Sequence, residues 1–405
     1  MNTISSYKLS VRDKDILSTL FRYRGMTALQ LTQKVHKSLE PRNSQKSMIH
    51  NYLKRLKEQK IITSKKLEDY VGLGSVYYLT PNGFKLTKDL LNIEIGQKGD
   101  GYTFADEIDG YHTHADLEYS IYKPPLEQIA HHLLLIESLI KIDFLNTDEL
   151  IDYRLSMYAT GEYIYKNRVG KLRPDAELLI GDRNFFIEID KGTEGYQQLY
   201  EKFINYRHYL SQLETSKLPS SIFFITDKKR QLYGLKRRWT TILVAYLNAM
   251  GEMATKVNLI LSPINKLEGT INFEINRPKY KKLALDRVRD FLSNQGYSSI
   301  NFYEIKSIVP FAVAIKNQKY QLVFLSLSGE YDSTVFGNFI LFMKNMSNID
   351  PALRKNGLTR SGLEQIILSK HENPYLPSIF PKERWSNEQQ LYSEILHKYL
   401  TILQI

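Results

Sequence analysis

A chain of 405 residues with 42% apolar side chains is long enough for two or three domains with cores of their own, which excludes a wholly disordered protein. Its 55 Lys and Arg against 44 Asp and Glu leave a formal charge of +11, pointing to a polyanionic partner without separating nucleic acid from an anionic membrane. The lack of cysteine excludes disulfides and cysteine-ligated zinc fingers; with no apolar leader and no long apolar run, a cytoplasmic protein free of the membrane is expected.

The charge is concentrated at the start. Residues 1–95 hold 17 Lys and Arg against 8 Asp and Glu. Apolar spacing at Val11, Ile16, Leu17, Leu20 and Phe21 predicts a first helix over Val11 to Tyr23. Thr27 caps a second that runs to Val35, with Leu29 and Leu31 facing inward. A third begins at Ser44 or Ser47 and reaches Glu58, with Met48, Ile49, Leu53 and Leu56 as its buried stripe. Its other face carries Lys46, His50, Asn51, Lys54, Arg55 and Lys57. Ile61 and Ile62, the charged Lys65 and Lys66, a turn over Gly72 to Gly74, a strand over Ser75 to Leu79 and a turn at Pro81, Asn82 and Gly83 follow. Three helices and a two-stranded ribbon predict a winged helix over 1–95. In that fold the third helix enters the major groove, with His50, Asn51 and Arg55 at base edges and Lys46, Lys54 and Lys57 on phosphates, while Lys65 and Lys66 make the wing basic. A polar helix face is otherwise merely solvated, or meets another protein; the local charge favours double-stranded DNA.

Residues 96–120 read as a linker, in which His112 and His114 are two ordinary surface histidines more readily than a ligand pair. Residues 121–265 alternate helix and strand. A helix over Leu126 to Phe144 bears His131, His132 and Glu137, and a short strand is expected over Ile151 to Met157. A hairpin over Asp175 to Ile180 and Asn184 to Ile189 turns at Gly181 and Asp182, and a helix over Thr193 to Leu210 succeeds it. Then come strands over Ser221 to Ile225 and Val257 to Leu261, with a basic helix from Lys229 to Met250 carrying Arg237 and Arg238 between them. Parallel strands need such crossover helices, so the fold class is α/β, within an α+β multidomain chain. In residues 266–405 a helix over Tyr280 to Asn294, a hairpin over Ile308 to Ile315 and Tyr320 to Leu327, a helix over Val335 to Met346 and a last helix over Asn387 to Leu403 predict an α+β interaction domain. No internal repeat stands out.

The chemistry is concentrated in LRPDAELLIGDRNFFIEIDKGTEGYQQLYEKFINY, Leu172 to Tyr206. Asp175 opens the first strand of the hairpin, and Glu188 and Asp190, two apart, share a face of the second. Lys202 and Tyr206, four apart, share a face of the following helix. Carboxylates with a lysine nearby are what metal-dependent phosphodiester hydrolysis uses, so Asp175, Glu188 and Asp190 are candidate ligands of Mg²⁺ or Mn²⁺, and together with Lys202 and Tyr206 they form the candidate catalytic set. Pro174–Asp175 and Glu188 match the spacing of the PD-(D/E)xK nucleases. Asp190, however, stands where those enzymes place lysine, and Lys191 points to the opposite side of the strand. The alternative is a degenerate scaffold in which the carboxylates pair with Lys202, Arg173 or His132.

The strings PDAELLI, FFIEIDKGTEG and LYEKFINY resemble the replication-relaxation proteins of Gram-positive plasmids and related mobile elements. The resemblance rests on Pro174, Asp175, Ala176, Glu188, Asp190, Gly192, Thr193, Lys202 and Tyr206 and covers roughly residues 8 to 260. It implies a winged helix joined to a nuclease-like domain, and a sequence-specific DNA-binding protein acting in replication initiation or DNA relaxation, with metal-dependent nicking as the candidate activity. The competing expectation is a transcription regulator that does not cleave and whose nuclease-like domain serves oligomerisation or DNA contact. Double-stranded DNA is the main expected partner; other replication or mobilisation proteins and a second copy of the chain are further candidates.

Overall fold

The computed structural model describes residues 8–67, 74–91, 118–156, 161–227, 234–305, 308–369, 374–377 and 400–404. It is a mixed α/β multidomain chain that divides into two compact units, one of residues 1–161 and 173–182, the other of 162–172 and 183–405. The region expected to form the middle domain is shared between them.

The first unit begins with α1 (Val11–Tyr23), β1 (Gly25–Thr27), α2 (Ala28–His36) and α3 (Asn43–Glu58), followed by β2 (Ile62–Lys66), β3 (Ser75–Leu79) and α4 (Pro81–Leu90). Helix α1 starts at a reciprocal cap between Ser10 and Asp13, and α2 at one between Thr27 and Gln30, as the Thr27 reading required. Strand β1 was not foreseen. It makes the expected ribbon a three-stranded antiparallel sheet ordered β1, β3, β2. The expected turn at Pro81, Asn82 and Gly83 is instead the first turn of α4: the Thr80 hydroxyl accepts from the Gly83 amide, and proline costs nothing at a first helical position. Ile16, Leu17, Leu20, Phe21, Leu31, Ile49, Leu53 and Leu56 are buried as expected. Val11, Leu29 and Met48 are not; all three are exposed.

Among the described residues, a short turn of helix, α5 (Tyr119–Tyr122), and α6 (Ile129–Asp143) complete this unit's helices. Gln30 Nε2 donates to the Leu133 carbonyl and Arg24 donates to the carbonyls of Ile121, Tyr122 and Lys123, so α6 and the segment before it belong with the N-terminal helices. Strand β4 (Ile151–Leu155) ends short of the expected Met157, which lies outside the described residues. The hairpin strands β5 (Gly161–Tyr165) and β6 (Arg168–Leu172) come next. Then β7 (Ala176–Ile180) returns to the first unit, antiparallel to β4, with Arg154 opposite Glu177. Both side chains are buried and form an ion pair.

In the second unit β8 (Arg183–Asp190), α7 (Tyr196–Leu210), β9 (Ser221–Thr226), α8 (Leu235–Met250) and β10 (Asn258–Pro263) give three parallel strands ordered β10, β9, β8, joined by helices as expected. The remainder is α9 (Leu267–Asn294), β11 (Ser299–Ile305), β12 (Ile308–Lys316), β13 (Lys319–Leu327), α10 (Thr334–Lys355), β14 (Thr359–Ser369) and β15 (Leu400–Gln404). The β12–β13 hairpin forms as predicted, turning at Asn317 and Gln318 with positive φ. Both long helices exceed their predicted spans. Helix α9 continues through Pro278 and α10 through Pro351, each forfeiting one backbone hydrogen bond without ending. The predicted terminal helix over Asn387 to Leu403 is corrected at its end, because Leu400–Gln404 is a strand parallel to β14; residues 387–399 lie outside the described ones. One apolar core runs through this unit, from Phe203, Phe224 and Tyr246 to Phe311, Phe324 and Phe342.

Candidate functional site

Two groups of predicted residues are tied to particular elements. On α3, His50, Asn51, Lys54 and Lys57 are exposed and Lys46 is half-buried, on the side opposite Ile49, Leu53 and Leu56. Lys57 reaches Ser64 Oγ at 2.8 Å, linking the helix to β2, whose Lys65 and Lys66 are exposed. Arg55 has another task. Its Nη2 lies 2.5 Å from both carboxylate oxygens of Asp13, which is buried at the start of α1. Burial pushes the Asp13 carboxyl up, but the Arg55 guanidinium and the Ser10 amide and hydroxyl outweigh it and hold the group below its ordinary value. Arg55 therefore fastens α3 to α1, and the exposed side chains beside it point away from the core.

Asp175 lies in the first unit, just ahead of β7, where His131 Nε2 stands 3.1 Å from its Oδ2. Of the two adjacent histidines, His132 has a different fate: it is buried, its Nε2 is 3.1 Å from the Gly25 carbonyl, and burial beside Arg24 lowers its pKa to about 3. It is a neutral core histidine that pins β1 to α6.

Glu188 and Asp190 lie in the second unit on one face of β8, both buried, as the period of two required. Helix α7 follows through Gly192, whose φ of 71° suits glycine at the tight turn after the strand. Tyr206 Oη donates to Glu188 Oε1 at 2.5 Å and Lys202 Nζ to Oε2 at 3.1 Å, so the predicted pair on α7 meets the predicted acid on β8. Lys202 also pairs with Glu194 at 2.9 Å on the half-exposed side of the centre, while Tyr206 is buried throughout. Arg238 of α8 clamps Asp190 from two nitrogens, at 2.6 and 2.8 Å, and its third donates to the Glu194 carbonyl at 2.6 Å. The Gly192 amide adds a bond to Asp190 Oδ1 at 2.8 Å. Lys191 faces away, pairing with Asp227 at 3.0 Å.

The donor set does not fit a divalent ion in this arrangement. Both oxygens of Asp190 are committed to Arg238 and both of Glu188 to Lys202 and Tyr206. Among the described residues no group of three or more His, Asp and Glu side chains is placed to hold a metal. Sequence reasoning missed Arg238 and Glu194. Arg238 was visible only as one of several cations in a basic run. It also missed a cavity of about 490 Å³ in this unit lined by Lys266, Phe273, Glu274, Tyr331 and Asp332. At its wall Arg277 bridges Glu274 and Asp332.

Residues 17–219 match the replication-relaxation family. The chain belongs to that family. Membership of the replication-relaxation family points to a role in plasmid replication or relaxation, and the matched span contains α3, β8 and α7 with Glu188, Asp190, Lys202 and Tyr206. No curated protein and no solved structure matches the chain. Among the described residues no helix is long and apolar enough to cross a membrane.

Proposed function

We propose that this replication-relaxation protein grips double-stranded DNA through α3 and the β2–β3 ribbon, acting as the recognition helix and wing of a winged helix, at an origin during replication or relaxation. One observation carries the reading: α3 buries Ile49, Leu53 and Leu56 while His50, Asn51, Lys54 and Lys57 stay exposed, with Lys65 and Lys66 exposed on the ribbon. The Arg55–Asp13 pair supports it by making α3 a rigid platform, and moves Arg55 from base reading to support. Lys54 and Lys57 neutralise phosphates, and Asn51 and His50 meet base edges. The binding constant should therefore fall linearly in a log–log plot against salt, and Lys54→Glu with Lys57→Glu should flatten that slope by roughly 2, about 0.9 per lost phosphate contact. Equal affinity and slope in wild type and the double variant would sink the reading.

The buried centre on β8 favours a nuclease-like scaffold that does not cut, since its acids are neutralised by Arg238, Lys202 and Tyr206. On this view the second unit serves DNA contact or association with a second copy or another replication protein. A second reading, nicking in Mg²⁺ or Mn²⁺, is favoured by the contact of Lys202 with Glu188, because that pair puts a lysine beside a strand carboxylate at a half-open edge. It predicts nicking of supercoiled origin DNA that disappears in Glu188→Ala. Identical nicking by wild type and Glu188→Ala removes it.

A further inference from the structure

The β5–β6 hairpin has no place in either reading, and its surface is unusual. Ile164 and Val169 are 67% and 66% exposed, although each is a β-branched aliphatic in regular strand. Glu162, the hairpin's one acid, is paired with Lys171 at 3.0 Å. That leaves Lys166 and Arg168 at the tip, and neither makes an ion pair among the described residues. Lys166 and Asn167 both take positive φ, the geometry of a two-residue hairpin turn matched to strand twist.

The other face is anchored, so the exposed face is presented rigidly. Tyr163 is buried and donates to Asn205 Oδ1 at 2.9 Å on α7. The Gln212 amide accepts from the Ile164 N–H at 3.2 Å and donates to the Ile164 carbonyl at 2.8 Å, as a neighbouring strand would. Tyr165 stacks on His208 at 3.8 Å. Gly170 gives the Tyr163 ring its room, since a Cβ there would come within 2.3 Å of it.

We infer that the β5–β6 hairpin is a second DNA-contacting element, which sets Ile164 and Val169 as an apolar wedge against a groove of duplex DNA while Lys166 and Arg168 hold the flanking phosphates. The occupant is argued from charge: the uncompensated charge beside the exposed aliphatics is positive, and apolar side chains flanked by cations are what bends a duplex by partial unstacking. Isolated exposed aliphatics need no explanation, but two of them on one face of an anchored hairpin do, beside cations that have no carboxylate partner among the described residues, Lys166 resting over the Tyr165 ring at 5.2 Å.

The inference rests on the DNA-binding reading above, and the test separates the two. A duplex labelled at both ends reports affinity by anisotropy and bending by energy transfer, for wild type, Ile164→Ala with Val169→Ala, and Lys166→Glu with Arg168→Glu. Leu283→Ala, an exposed aliphatic on α9, serves as control, and circular dichroism checks that each variant folds. The wedge variant should keep the salt slope and lose the bend; the charge variant should lose at least about tenfold in affinity and roughly 2 from the slope. If wild type binds with its salt slope and both hairpin variants match it in affinity, slope and bend, the hairpin inference falls while the α3 reading stands. No binding of any duplex by wild type overturns both. If the hairpin variants lose binding to phosphatidylserine vesicles and keep duplex binding, the hairpin's partner is lipid and the inference is wrong.

Discussion

Two strand–helix–strand segments of the second unit share a layout and fill it with different chemistry. In one, β8 leads through α7 to β9, which lies parallel beside it; in the other, β13 leads through α10 to β14, again parallel. Counted from the first residue of each strand, the place of Glu188 is taken by Phe324 and that of Asp190 by Ser326. Phe324 is fully buried and packs against Phe339 and Phe342 of α10, at ring separations of 5.9 and 5.7 Å. Where one segment sets aromatic rings between strand and helix, the other sets a carboxylate, a lysine and a tyrosine hydroxyl. Burying charge is expensive even when it is paired, and apolar packing of the same volume is often as stable. At these matching places the layout holds without ionic groups. The second segment's own cluster, where Tyr320 of β13 donates to Asp350 of α10 beside Arg354 and Arg360, lies elsewhere along it. The position of the acids on β8 is therefore not explained by the layout alone.

The sharpest way to break this comparison is Arg238→Ala. It strands Asp190 in the interior with, among the described residues, only the Gly192 amide as a partner, and should cost about 3–5 kcal/mol in urea unfolding. Asp190→Asn added to it should recover much of that loss, because the stranded charge is gone. A loss below about 1 kcal/mol for Arg238→Ala alone would mean that the pair is as dispensable as a surface bridge.

Tyr206→Phe comes next. It removes one bond to a buried carboxylate that Lys202 also meets, without opening a cavity, and about 1.5–3 kcal/mol should be lost. Replacing the whole group, Glu188→Leu with Lys202→Met and Tyr206→Phe, makes the first segment resemble the second. Its stability should lie within about 1 kcal/mol of wild type, or above it. If this apolar version is as unstable as Tyr206→Phe alone, the charges do hold the segment together and the comparison misleads.

Much of the first segment could be read from sequence, because its signals are local. A period of two puts Glu188 and Asp190 on one face, and a spacing of four puts Lys202 and Tyr206 on another; packing the helix on the strand brings the two together. Arg238 could not be read, since it meets Asp190 from 48 residues away and basic residues on a helix ordinarily face water. The β5–β6 hairpin was hidden because its turn, Lys166 and Asn167, lacks the glycine that marks positive φ. Pro81, Asn82 and Gly83 misled in the opposite way, as the same residues suit a turn and a helix start. The similar layout of the two segments leaves no trace in the sequence, because side chains of opposite chemistry occupy its matching places.

The smallest effect concerns one set of polar groups next to the second segment, just beyond the end of β13. Glu274 of α9 and Asp332 share Arg277, and burial holds the Glu274 carboxyl above its ordinary value of 4.5 despite the opposing pull of Arg277. A raised folded-state value means that the native state binds this proton more tightly than the unfolded chain. The resulting stabilisation is fully present below pH 4.5 and is lost as pH rises through the folded value. Urea unfolding of wild type and Glu274→Gln across that range should show a shallower loss with rising pH in the variant. The opposite sign, with Glu274→Gln losing stability as pH rises while wild type does not, would show that Arg277 dominates and that this centre behaves like the committed pairs of β8.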